Sequence, residues 1–151
     1  MNEFKETSGP LSDIKVLDVT QMMAGPFCSM LLADMGADVV KIEKPEGDDI
    51  RRAGPPFING ESAAFLGINR NKRSISIDLS LPEGQEILRR MSTKADVLVQ
   101  NMRPETVRKH KLSYPDIKKV NPAIIYCTIS GFGTTGPYSD RPGFDLVAQG
   151  M

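Results

Sequence analysis

The 151-residue chain is 40% hydrophobic and 25% charged, with 19 basic and 19 acidic side chains. That balance leaves no global field to draw nucleic acid or an anionic membrane, and no apolar run approaches the roughly 18 residues of a membrane span. A single histidine, with Cys28 and Cys127 far apart, offers no metal-ligand set and fits buried thiols in a reducing, cytoplasmic compartment.

The first residues, MNEFKETSGPLSD, lack the apolar core of a secretory signal, and residues 1–11 read as a polar, frayed lead-in. Lys15–Val19 is rich in branched apolar residues and predicts a buried strand. A short loop, 21–25, leads to Pro26, whose fixed φ and missing N–H suit a helix start. Apolar residues then recur at helical spacing until Gly36 stops the run, and residues 39–42 predict a second strand. Strand, helix and strand within about 30 residues make a βαβ unit. Such a unit turns its first loop and helix start toward the sheet edge where ligands bind.

Residues 43–64 hold prolines, glycines, acids and two arginines, and predict a long loop. Loops of that length serve a function or meet a partner, or are simply solvated surface. A short helix is expected over 65–70. Arg70, Lys72 and Arg73 then stand beside an alternating strand at 74–79, either solvated or clamping a phosphate. Ser80-x-x-Glu83 has the form of a capping box opening a helix over Pro82–Ser92. A third strand at 97–99 runs into Asn101-Met102-Arg103-Pro104 at another ligand-facing strand end. Ser113-x-x-Asp116 opens a further helix, 124–129 reads as a buried strand, and 130–137 is a glycine-rich loop. Residues 143–151 begin an apolar helix.

The alternation predicts an α/β domain with a doubly wound, mostly parallel sheet over residues 1–151. Strand ends at Thr20, Glu43, Ser80, Gln100 and Ser130 are expected to line one crevice. No G-x-G-x-x-G follows the first strand, and neither a P-loop nor a G-x-S-x-G elbow occurs.

Seven segments in order carry a resemblance: VLDVT from Val16, AGPF from Ala24, LADMGADVVKIEKP from Leu32, NKRSISIDL from Asn71, ADVLVQNMRP from Ala95, Asn121-Pro122, and SGFGTTGPYSDRPGFDLVAQ from Ser130. Together they resemble the class III CoA-transferases, a family that includes carnitine, bile-acid and formyl-CoA transferases and the α-methylacyl-CoA racemases. The resemblance implies a Rossmann-like, CoA-binding N-terminal domain. It implies that Gln21, Met22, Met23 and Ala24 pack on the nucleotide and pantetheine, and that Lys44 and Lys109 face phosphates. Asp78, Leu79 and Ser80, with Asn101, Met102 and Arg103, would surround adenine and ribose. Phe144 and Asp145 would approach the thioester.

The same resemblance implies an aspartate nucleophile in a Gly-Asp motif beyond Met151, so no catalytic residue is assigned and the chain alone is expected to be inactive. It further implies a second domain, a C-terminal return and interlocked homodimers, with acyl-CoA and a carboxylic acid as substrates and no metal. A fragment of a longer transferase and a stand-alone, non-catalytic CoA-binding module are both open. A racemase is disfavoured, because Gly143-Phe144-Asp145 stands where racemases carry Gly-His-Asp, and phenylalanine transfers no proton. Met23 replaces the glutamine of formyl-CoA transferase. His110, within Arg108-Lys-His-Lys, is expected to be solvated.

Overall fold

The computed structural model describes residues 8–150. Strand β1 (Lys15–Val19) leads through helix α1 (Ala24–Asp34) to β2 (Asp38–Glu43). A 3-10 turn (Asp49–Arg52) and a small hairpin, β3 (Phe57–Ile58) and β4 (Glu61–Ser62), precede α2 (Ala63–Asn69) and β5 (Lys72–Ser76). Helix α3 (Pro82–Ser92), β6 (Val97–Gln100), α4 (Pro104–Lys109), α5 (Tyr114–Lys118), β7 (Ile125–Thr128) and α6 (Asp145–Gln149) complete the order.

Five strands form one sheet in the order β5-β2-β1-β6-β7, and every pairing is parallel. The period-two alternation of the strands sorts their side chains between two cores. Leu17, Val19, Ile42 and Leu98 pack with Leu88 of α3, Val107 of α4 and Ile117 of α5 on one face. Val16, Val39 and Val99 pack with Ala33 of α1 on the other. Leu88 and Leu98 are 0% exposed, and burying such a side chain contributes about 1.5–3 kcal/mol. Helices on both faces make the sheet doubly wound, as the sequence predicts. The order reverses between β1 and β6, the switch point where such sheets hold ligands.

Several expectations are corrected. Residues 8–11 are tied down rather than frayed, with the Leu11 N–H donating to the Met35 carbonyl at 3.0 Å and the side chain on the α1-side core, while residues 1–7 lie outside the described residues. Helix α1 begins at Ala24, two residues before Pro26. The long loop carries a 3-10 turn and a hairpin, because Asp48 caps the turn by accepting from the Ile50 N–H and the Arg51 guanidinium stacks 3.6 Å from the Phe65 ring centroid.

The strand at 74–79 is displaced to Lys72–Ser76 and lies at the sheet edge. The solvated reading holds for Arg70 and Arg73, which stay half-exposed, and fails for Lys72. Arg70 pairs with Asp34, Arg73 with Asp38, and Lys72 is buried against Asp18. Ser80 does not cap α3. Its N–H and hydroxyl turn back to Asp78 Oδ1 at 2.8 and 2.6 Å, and Leu81 takes the N-cap. The strand read as buried at 124–129 is an edge strand, with Ile125 64% exposed because no further strand covers it among the described residues. Helix α6 buries none of its residues, and Met151 lies outside the described residues.

Candidate functional site: a cavity at the switch point

The loop between β1 and α1 is fixed by three separate partners. Asn101, just past β6, uses both ends of its amide: Oδ1 accepts from the Gln21 N–H at 2.9 Å and Nδ2 donates to the Gln21 carbonyl at 2.8 Å. This clip joins the two strand ends across the switch point. From the other side, Lys41 Nζ donates to the Thr20 carbonyl at 2.9 Å and pairs with Asp48 at 2.8 Å. Asp48 Oδ1 accepts from the Met22 N–H at 3.2 Å, where Met22 adopts φ +66°. A non-glycine residue holds that conformation only where its surroundings impose it.

A buried charge cluster supports this loop from below. Asp18 and Lys41 are register partners on β1 and β2, and both are about 1% exposed or less. Asp18 accepts from the Ser29 hydroxyl at 2.6 Å and the Thr20 N–H at 2.9 Å, as well as from the Thr20 hydroxyl and Lys72 Nζ. Burial pushes its carboxyl up, but Lys41, Lys72 and the two hydroxyls outweigh burial and hold it below the ordinary carboxylate range. Lys72 also donates to the Pro26 carbonyl and Asn69 Oδ1 at 2.8 and 2.9 Å, and its burial depresses its own pKa.

Glu43 anchors the second loop. Arg51 grips it with two bonds of 2.7 Å, and the Ser74 hydroxyl and Asp48 N–H complete its shell. Burial raises its pKa, but these donors prevail and bring it down to about 2.

Two glycines allow the walls to close. A Cβ on Gly25 would stand 2.3 Å from the Thr20 Cβ, and one on Gly84 would stand 1.9 Å from the Asp78 carbonyl oxygen. Only glycine lets the start of α1 meet the end of β1, and lets α3 meet the 78–80 turn.

The result is a cavity of about 230 Å³ at the C-terminal strand edge, lined by the ends of β1 and β2, by residues 77–80 and by α4. Gln21, Lys44, Asp78, Leu79, Ser80 and Met102 line it, six residues that sequence reasoning placed in the site. Asn101 stands behind the wall as the Gln21 clip. Met22, Met23 and Ala24 follow Gln21 and are exposed. Lys44 is half-exposed and pairs with Asp49 at 2.8 Å.

Arg103, the N-cap of α4, and Lys109 at its end are exposed and line neither hollow at this edge, and Phe144 and Asp145 at the start of α6 are exposed and line neither as well. The single crevice expected from the strand ends is two hollows. A second of about 520 Å³ gathers Gln100, Tyr126, Ser130 and Thr134, and Met102 borders both.

Thr20 and Glu43, the strand ends expected at the crevice, also line the smaller cavity, as do Asp48, Thr106 and His110, which were not foreseen. His110, expected in solvent, is half-buried in its wall because it caps the end of α4 over the cavity. The signals for the charge cluster were Asp18 and Lys41, charges inside apolar strands, where burial requires a partner.

No carboxylate of the cavity is poised as a nucleophile. Glu43 is held by Arg51, Asp48 by Lys41, and Asp78 by Ser80. The arrangement binds and orients. Its volume suits part of a ligand rather than the whole of a large one.

A model of "CoA-transferase family III" matches residues 11–151. The chain belongs to that family. It is 47% identical to the succinyl-CoA:glutarate CoA-transferase of Mus musculus over 143 residues, covering 94% of this chain and 33% of that protein. It is 44% identical to the succinate–glutarate CoA-transferase of Agrobacterium fabrum over 158 residues, covering 100% of this chain and 40% of that one. The crystal structure of a CAIB/BAIF family protein from Brucella suis superposes with a TM-score of 0.91 at 46% identity, over 95% of this chain and 39% of that one. The family III chain thus spans 33% to 40% of the length of these relatives. Among its described residues no helix is long and apolar enough to cross a membrane.

Proposed function

We propose that this chain is the N-terminal, CoA-binding part of an acyl-CoA:carboxylate CoA-transferase, and that the switch-point cavity receives the nucleotide end of CoA. The observation that carries the reading is the two-ended Asn101–Gln21 clip, which rigidly joins β1 and β6 where a doubly wound sheet takes its ligand. Gln21, Lys44, Asp78, Leu79, Ser80 and Met102 are its contact residues, with Met22, Met23 and Ala24 continuing along the ligand.

In this reading the chain holds and positions the thioester, and attack comes from a carboxylate outside the cavity, since those inside are already engaged. Asp145 is not that group: it is exposed at the start of α6 and accepts from Gln149. The relatives' names support succinyl-CoA as the donor and a dicarboxylic acid such as glutarate as the acceptor. The full transferase works as a homodimer in the cytoplasm.

Equilibrium titration with CoA tests the binding claim. Saturable heat, weakened in Lys44→Ala and Asn101→Ala, is the expected result. No heat, or equal affinity in all three proteins, overturns it.

A further inference from the structure

The lining of the switch-point cavity is almost fully satisfied from within, with one exception. Among the described residues, two buried side-chain polar atoms make no hydrogen bond: Asp48 Oδ2, which faces Lys41 Nζ at 2.8 Å, and His110 Nδ1. Buried polar atoms in folded proteins almost always have a partner, so an orphan on a cavity wall calls for one.

The backbone at His110 is held from both sides along the chain. The His110 N–H donates to the Thr106 carbonyl at 2.9 Å and closes α4. Lys111 then adopts φ +54° and delivers Leu112 into the core, where it is 2% exposed. The Leu112 N–H donates to the Val107 carbonyl at 3.0 Å, and its own carbonyl accepts from the Tyr126 hydroxyl. These bonds fix the backbone that carries the imidazole.

Other groups at the cavity are committed elsewhere. Glu43 has Arg51 and Asp48 has Lys41, whereas Lys44 shares only an exposed pair with Asp49. Asp78 is held below the ordinary carboxylate range by its bonds from Ser80, with His110 as a further favourable charge. An imidazole beside a carboxylate, with a ring nitrogen that has no partner, is suited to donate to an acceptor atom.

We propose that His110 is a ligand-contacting residue whose imidazole donates a hydrogen bond to an acceptor on the nucleotide end of CoA. This rests on the CoA-binding reading above. It adds a contact on α4 to those on the β1, β2 and 78–80 loops.

His110 is the chain's only histidine, so its imidazole signal needs no assignment. The test is carbon–proton NMR of that ring in the native sequence during titration with CoA, dephospho-CoA and pantetheine, alongside calorimetry. CoA is expected to move the signal saturably, in step with the heat, and pantetheine to leave it in place. A shift with dephospho-CoA as well assigns the contact to the base or ribose, and a shift with CoA alone assigns it to the 3′-phosphate. Either result supports the contact. His110→Phe should weaken CoA by about tenfold and His110→Gln recover most of that, the size of one hydrogen bond. Saturable CoA heat with an unmoved signal, or His110→Phe binding as tightly as the native chain, overturns the proposal while leaving CoA binding intact. Absence of any CoA heat removes the binding reading and this contact together.

Discussion

Around the ends of β1 and β2, Asp18, Thr20, Ser29, Lys41, Glu43 and Asp48 are all buried and all partnered, and the loop backbone is bonded to them directly. From Ile125 onward no described residue is buried, and Phe144 and Leu146 stand 66% and 80% exposed. The same sheet edge thus carries a small cavity with charge-braced walls and a larger hollow whose rim rests on little buried surface. The contrast matters for function because a ligand gains most from loops that lose little freedom on binding. The braced side has that property, and it holds the residues proposed above to contact the nucleotide end of CoA.

If the bracing is real, damage should be steeply unequal between the two sides. Lys41→Met strips Asp48 and the Thr20 carbonyl of a buried partner. Removing one member of a buried pair costs about 3–5 kcal/mol, so urea midpoints should fall sharply, and an unchanged midpoint would contradict the brace.

Acid probes the same side. The folded pKa of Glu43, about 2, lies below its ordinary 4.5, so its contribution is complete above the ordinary value and is lost as pH falls toward 2. That loss is on the order of 3 kcal/mol, with Asp18 shifted in the same direction. Urea unfolding from pH 6 to pH 2.5 should show it, and Arg51→Met should flatten the slope.

Gly25→Ala forces a methyl onto Thr20 and should cost about 1–3 kcal/mol while loosening CoA, read by denaturation and calorimetry together. Asn101→Ala removes the clip, which is worth about 1–2 kcal/mol for two hydrogen bonds, and should weaken CoA roughly tenfold. The smallest effect belongs to the other side. Leu146→Ser and Ile125→Lys should stay within about 0.5 kcal/mol of the parent chain and leave CoA affinity alone.

Much of this division was legible in the sequence, and unevenly so. Period-two apolar runs and Pro or Gly punctuation locate β1, α1, β2, α3 and β6, because local sterics and burial act on the same residues. The loops named as ligand-facing follow from strand ends, and six of their residues line the cavity. What stayed hidden depends on tertiary partners. Lys72 reads like its neighbours Arg70 and Arg73, yet only Lys72 reaches Asp18, because strand pairing sets it beside Val39 and under α1. Ser80 has capping chemistry, but Asp78 two residues earlier competes for it and wins. His110 sits in a basic run that looks solvated, and its place at the end of α4 puts it in the wall. The register that separates two hollows from one crevice is a property of the assembled sheet.

The central claim is that CoA occupies the braced side. Hydrogen exchange of the intact chain, with and without saturating CoA, measures both sides in one experiment. The account predicts added protection at residues 20–24, 43–48, 78–80 and 101–110, with residues 125–149 little changed. Protection confined to 125–149, or none anywhere once CoA is shown to be bound, would contradict it.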